Sequence, residues 1–354
     1  MNIYVINPAL DICGIIDDYV SIIWTTRYYK SGDFELYVSA NEQNVSLLKE
    51  KYYLCREEDI DGDVWNNVMI IENINITTDV EAGNYLIITG KSLKSIVGRR
   101  IIWQQTNLYG SVELGIRQVL TENIISPTIE ARKIADFELE EIQGFDDTMN
   151  LQVTGDNIEE WLEEVCMTYG IGWDVYINNK KFVFHLWKGT DRSYNQDSVP
   201  YVVFSKDFDN LLTSDFSLDK SEFRNTALVA GEGEGLDRKT YAIGNYSGLD
   251  RYELYVDARD ISSNNGEIND AEYNNMLNEK GNEALAEHMT TVNFEGEVDP
   301  STNYIFNKDY FLGDIVEVIN EYGITSTPRI TEIIDSEDDT GRTIIPNYSA
   351  WEVQ

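Results

Sequence analysis

The sequence predicts a mainly β chain of the α+β class, in which a few helices interrupt many short strands. Three observations predict this. The 354 residues include 22 Tyr, 7 Trp and 12 Phe, with Val, Ile and Thr throughout, types that suit a pleated, half-buried surface. Apolar and polar residues alternate over short runs. Gly, Asn, Asp and Ser gather between those runs, where turns need them. A chain of this length exceeds one ordinary domain and reads as roughly two to four units.

From Met1 to about Arg100 the pattern is β-rich, with strands expected at Ile3–Ile6, Cys13–Ile16 and Val20–Trp24. Ile22–Val38 reads as a hairpin turning at Lys30–Asp33, with Gly32 in the turn. Beyond it Phe34, Leu36 and Val38 face one way and Glu35 and Tyr37 the other. Asn41–Lys49 reads as one or two helical turns with Val45 and Leu48 inward. Tyr52–Arg56 and Trp65–Ile76 are strands around an acidic turn, Glu58–Asp63. Tyr85–Thr89 is a further strand and Ser92–Val97 a short helical turn. Such spacing suggests a sandwich or barrel.

Ser111–Asn123 has helical spacing and ends before Pro127. A stronger helix spans Asn157–Tyr169, with Asp156 as N-cap, Glu159 three residues on and Gly170 closing it. Trp173–Ile177 and Lys181–Trp187 form a hairpin. Strands follow at Tyr201–Phe204, Asp215–Lys220, Asn225–Gly231, Arg238–Ala242 and Tyr252–Asp257. Asp270 can N-cap a helix over Ala271–His288, where Gly281 implies either close packing or a bend. Val292–Val298, Asp314–Ile319, Ile324–Asp335 and Thr343–Ile345 complete the strands. No long linker, low-complexity tail or convincing repeat stands out.

The formal net charge is −36, from 63 acidic and 27 basic residues. Such a surface repels nucleic-acid phosphates and argues against a DNA-binding protein. No run of about 18 apolar residues exists, so no membrane-spanning helix is expected. The start, M-N-I-Y-V-I-N-P, has no basic or apolar leader region, so no signal peptide is expected. Cys13, Cys55 and Cys166 are odd in number and far apart, so they form neither a disulfide framework nor a metal spacing, and a reduced assembly site is expected.

Motifs that resemble chemistry fail in detail. Gly90–Lys91–Ser92 ends like a phosphate-binding loop, but Tyr85 stands where that loop needs glycine. Gly231, Gly233 and Gly235 precede no helix, and Glu232 and Glu234 would repel a pyrophosphate. Asp59, Asp61, Gly62 and Asp63 start like a calcium loop, but Val64 and Ile70 break it, leaving a weak structural cation as an open alternative. His185 and His288 have no ligand-spaced partners, Cys166 lies on a buried helix face, and no G-x-S-x-G elbow is present. No catalytic, cofactor-binding or metal-ligating residue is assigned, no cofactor is expected, and the chain is expected not to be an enzyme.

Four stretches together resemble the hub proteins of long-tailed bacteriophage tails. They are Trp24–Val38 (W-T-T-R-Y-Y-K-S-G-D-F-E-L-Y-V), Leu86–Ile102 (L-I-I-T-G-K-S-L-K-S-I-V-G-R-R-I-I), Arg224–Gly235 (R-N-T-A-L-V-A-G-E-G-E-G) with Val256–Ser262, and Tyr310–Val318 (Y-F-L-G-D-I-V-E-V) with Thr327–Ile333. The family is that of siphophage tail-tip or baseplate hubs, similar to the central hub of contractile tails and to the N-terminal part of tail-associated lysins. The resemblance implies two tube-like β-barrel domains per subunit, with three subunits making a pseudo-sixfold ring. It places the first barrel at 1–105, an α/β insertion at 106–198, the second barrel at 199–235 and 290–354, and another α/β insertion at 236–289.

The resemblance further implies a homotrimer in the virion tail tip, assembled in the host cytoplasm. Its partners would be the distal tail protein ring, the tape measure protein C-terminus and a tail fibre or receptor-binding protein. DNA would pass through the lumen without specific binding, kept off by carboxylates. Arg27, Asp33, Glu35 and Tyr37 are the candidate ring-interface or lumen residues. A tail-like bacteriocin would use a similar part. The competing readings are a carbohydrate-binding tail adhesin, expected to show a concave aromatic cleft, and a cell-wall hydrolase, expected to show paired carboxylates or zinc.

Overall fold

The computed structural model describes residues 1–79, 83–210, 215–295, 304–323 and 325–348. The expected strand Val292–Val298 passes residue 295 and so lies partly outside the described residues, as does Ile324.

The hairpin expected at Ile22–Val38 is the antiparallel pair Ser21–Arg27 and Asp33–Ser39. It forms the middle of a nine-stranded sheet. The strand order is Ile12–Ile16, Ile3–Ile6, Tyr53–Arg56, Met69–Asp79, Gly83–Ser92, Asp33–Ser39, Ser21–Arg27, Ile330–Asp338, Gly341–Tyr348. Ile3, Ile16, Trp24, Phe34, Leu36, Leu54, Met69 and Ile88 share one buried cluster. Side chains from seven of the nine strands can meet in one core only if the sheet curls strongly about it.

The curl is not a closed barrel, because the edge strands Ile12–Ile16 and Gly341–Tyr348 are not hydrogen-bonded to each other. Side chains span the gap instead. Arg56, 2% exposed, pairs at 2.5 Å with both Asp59 and Asp335 and lies over the Trp24 ring. Arg342 reaches Glu58 and Asp335 beside it. Asp59, the buried member of the calcium-like turn, is thereby engaged by Arg56 and by Asn67.

The sheet also joins segments that the expected division keeps apart. Ile330–Asp338 and Gly341–Tyr348, expected in the second barrel, pair with the first sheet through Ser21–Arg27. The reason is a ladder between distant segments, which local periodicity does not register. Ile330, Ile333 and Tyr348 meanwhile pack with Val202, Phe204, Tyr310, Val316 and Val318. This pair of strands is therefore hydrogen-bonded into the first sheet while its apolar side chains pack in a second core. Val203–Ser205 runs parallel to Glu317–Ile319 in that second unit, and Asp215–Asp219 pairs with Thr291–Glu295.

The first insertion holds the helix Val112–Leu120 against the strands Thr106–Ser111 and Thr148–Val153, and the helix Ile158–Tyr169 against Gly172–Asn178, which pairs with Lys181–Trp187. Its core of Trp161, Leu162, Val165, Cys166, Trp173 and Phe184 also takes in Ile6, Cys55, Val68 and Ile70. The boundary near residue 105 is thus continuous in packing. The N-cap of Ile158–Tyr169 is Asn157 rather than Asp156, its side chain accepting from Glu159 N, and Gly170 closes the helix in the left-handed region. Val45, expected inward, is exposed, and Asn44 is buried in its place.

Thr226–Ala230, expected in the second barrel, lies between Thr240–Ile243 and Glu253–Asp257 in the sheet of the second insertion. The helix Asp270–Glu287, capped by Asn269, covers one face. Gly281 is there for close approach, since a Cβ would overlap Ile243 and Val229.

Candidate functional site

Tyr28 closes the strand Ser21–Arg27 and is fully buried. Its hydroxyl donates toward Gly170 O and Trp187 O, at 3.2 and 3.1 Å, and accepts from Gly189 N. A Cβ at Gly172 or at Gly313 would overlap its ring. The turn that follows is held from the neighbouring strand. Gly32 N donates to Ser92 Oγ, and Ser92 N to Gly32 O. Lys94 Nζ donates to the carbonyls of Arg27, Tyr28 and Lys30 while lying over Trp173 and Trp187. Burial pulls its pKa down to about 8. The phosphate-loop look of Gly90–Ser92 is therefore a packing motif. Gly90 lies against the Ile70 carbonyl, and Ser92 grips the turn.

This scaffold sets the candidate residues. Asp33, Glu35 and Tyr37 alternate onto the face opposite Phe34, Leu36 and Val38. Register places Asp33 beside Lys91, Glu35 between Ile23 and Thr89, and Tyr37 beside Ile87. Tyr37 packs against Tyr85, ring centroids 4.9 Å apart. Arg27 joins Asp33 and Glu332 in one ion-pair group and also donates to Ser31 O. Desolvation opposes its charge, but the two carboxylates prevail and raise its pKa. Arg27 and Asp33 are thus brought together, whereas Glu35 stands exposed further along the strand.

Arg27 and Asp33 also line a cleft of about 510 Å³ with Lys30, Lys91, Arg99, Glu72 and Glu159. Lys91 and Arg99 belong to the stretch Leu86–Ile102, and sequence reasoning missed them as surface partners of the turn. Alternation along Gly83–Ser92 carries the signal for Lys91, because it places this residue on the face of Thr89. The outer face along Thr343, Ser336, Ile23, Glu35, Thr89 and Asn73 carries one acidic side chain, Glu35. Among the described residues no group of three or more His, Cys, Asp or Glu side chains is arranged to hold a metal ion, and no helix is long and apolar enough to cross a membrane.

Three solved structures share this fold. The tail protein from Neisseria meningitidis MC58 matches with a TM-score of 0.61 at 13% identity, covering 99% of this chain and 97% of that one. The prophage MuSo2 43 kDa tail protein from Shewanella oneidensis matches at 0.60 with 14% identity, covering 99% and 98%. Prophage tail protein gp18 from Listeria monocytogenes EGD-e matches at 0.55 with 13% identity, covering 98% and 94%. No curated protein matches the sequence. The profile of the family described as Siphovirus ReqiPepy6 Gp37-like protein matches residues 2–347, and the chain belongs to that family.

Proposed function

We propose that the chain is the structural, non-enzymatic hub of a siphovirus tail tip, three copies forming a pseudo-sixfold ring that continues the tail tube. The observation that carries this reading is the end-to-end correspondence of its fold with phage tail proteins, over 97–99% of the two chains in the first comparison. Two further features support it. Among the described residues neither edge strand of the nine-stranded sheet is hydrogen-bonded to a further strand, and unpaired edges pair with other chains. The charge of −36 suits a channel that DNA crosses without binding.

In this reading the ring joins the distal tail protein above to a fibre or receptor-binding component below. The tape measure protein C-terminus occupies the lumen before ejection. Arg27, Asp33, Glu35 and Tyr37 serve as ring contacts or lumen lining. The test is the mass of the full chain in solution together with negative-stain imaging. The expected result is a trimer with a central hole; a monomer at every concentration overturns the reading.

A further inference from the structure

Trp103 is the only exposed tryptophan among the described residues, at 54%, and several groups hold it there. The helix Val112–Leu120 runs on into a π-helical turn, Thr121–Ile125, closed by Ser126 N donating to Thr121 O at 2.8 Å. A widened turn of this kind is rare and often marks a functional site. It carries Asn123, which is 3% exposed. Asn123 Nδ2 donates to Val119 O, and its Oδ1 accepts from Trp103 N at 3.0 Å and from Arg132 Nη1 at 3.3 Å. Arg132 Nη2 donates to Ile101 O at 2.6 Å, and its guanidinium lies over the indole, 4.8 Å from the ring centroid. One buried asparagine thus fixes both the backbone that bears the indole and the cation that covers one of its faces. With that face covered, the exposure comes from the other face and the ring edge.

Trp103, Asn123 and Arg132 line a small pocket of about 90 Å³ with Gln104, Ser126 and Thr128. Its two ionic side chains are engaged, Arg132 as above and Glu122 with Gln118 and Thr106. Arg100 adjoins them but donates to Arg132 O and Arg99 O. The side chains of Gln104, Ser126 and Thr128 and the indole N–H make no hydrogen bond among the described residues, so they are open to a ligand. Ile129, 44% exposed, is the one aliphatic side chain at the rim.

An apolar ring face bordered by neutral amide and hydroxyl groups suits a ligand that is apolar on its face and hydroxylated at its edge. A hexopyranose with equatorial hydroxyls has that form, because its axial C–H bonds make each face apolar. An anion finds no free cation in this pocket, and an apolar protein anchor meets a mostly polar rim. The volume is well below the roughly 300–1,000 Å³ that encloses a small molecule, so one ring lies across the mouth and the rest of a glycan stays in solvent. We infer that Trp103 and its pocket bind one neutral, equatorially substituted hexopyranose of a larger saccharide, at a site separate from the cleft of Arg27 and Asp33. A single indole is less than the aromatic cleft expected of an adhesin. The contact is therefore accessory, and it does not rest on the ring reading above.

The test titrates the full chain with cellotriose and with triacetylchitotriose by calorimetry, alongside Trp103→Ala, Trp103→Phe and Tyr246→Ala. Tyr246, 49% exposed in the second insertion, is the control, and unchanged circular dichroism confirms the fold of each variant. The expected result is that at least one trisaccharide binds. Its affinity should fall about tenfold in Trp103→Ala and about threefold or less in Trp103→Phe, and should be unchanged in Tyr246→Ala. No binding of either trisaccharide overturns the site, and so does binding that Trp103→Ala leaves unchanged. Sedimentation of the same variants identifies a protein occupant. Loss of assembly in Trp103→Ala, with no saccharide bound by the wild type, assigns the indole to a contact between copies and overturns the saccharide site.

Discussion

The ring of Tyr28 lies where a side chain on Gly313 would have to be, so two residues far apart in sequence occupy one space. Gly313 also has φ +96°, which costs a residue with a Cβ further strain. Gly313→Ala should therefore lower the urea midpoint severely, by about 3 kcal/mol or more once overlap and strain combine. Tyr28→Phe keeps the ring and removes only the hydroxyl that Gly170, Trp187 and Gly189 share, at a cost of about 1–3 kcal/mol. Equal losses in the two variants would show that the close approach is unimportant.

Arg56 is the second keystone. Replacing it with Met leaves the Asp59 carboxylate buried without its cation and Asp335 with Arg342 alone. The expected loss is about 3–5 kcal/mol, with partial recovery in Arg56→Met combined with Asp335→Asn. Chemical denaturation of the single and double variants checks this.

Lys94 makes stability depend on alkaline pH. Its folded pKa, about 8, lies below the ordinary 10.5 because burial penalises the cation. Between those values the unfolded chain holds a proton that the folded chain has released. Stability relative to Lys94→Met should therefore rise as pH increases from about 8 to 10.5. A difference between wild type and variant that stays flat over that interval excludes this titration.

Glu283 acts at the opposite end of the scale. Helix Asp270–Glu287 meets helix Ile158–Tyr169 through Lys280, which lies 3.6 Å from Glu283 and 3.7 Å from Glu164. Asp156, Asp260, Glu160, Glu279 and Glu287 crowd the same lysine and its partners. Burial raises Glu283 from 4.5 to about 7. The folded state then binds the extra proton between those values, so this contribution is full below pH 4.5 and is lost as pH rises to 7. Amide protection in the helix, taken relative to the intrinsic exchange rate at each pH, should fall over that range, and Glu283→Gln should flatten the change.

What the sequence made legible was local. The hairpin through Gly32 and the helix ending at Gly170 follow from alternation, caps and turn residues within a dozen positions. The pairing of Ser21–Arg27 with Ile330–Asp338 was not legible, since neither strand carries a mark naming the other. The same limit divided the candidate site. Asp33 and Arg27 share one hairpin and could be grouped by eye, but Glu332 comes from the far end of the chain. Lys94 stood inside a quoted motif and was still passed over, because its role depends on Trp173 and Trp187 arriving from the insertion.

The strand Ile330–Asp338 carries one more consequence, for the chain as it is made. Ser21–Arg27 leaves the ribosome about 300 residues ahead of its partner, roughly 15–60 s earlier at about 5–20 residues per second. Throughout that interval Ser21–Arg27 presents an unpaired edge, with Ile23 and Trp24 on opposite faces. The sheet can be completed only after residues 330–348 have emerged, so a nascent chain stalled before residue 330 is the species most prone to wrong pairing. Premature contact between neighbouring nascent chains on one message would compete directly with folding.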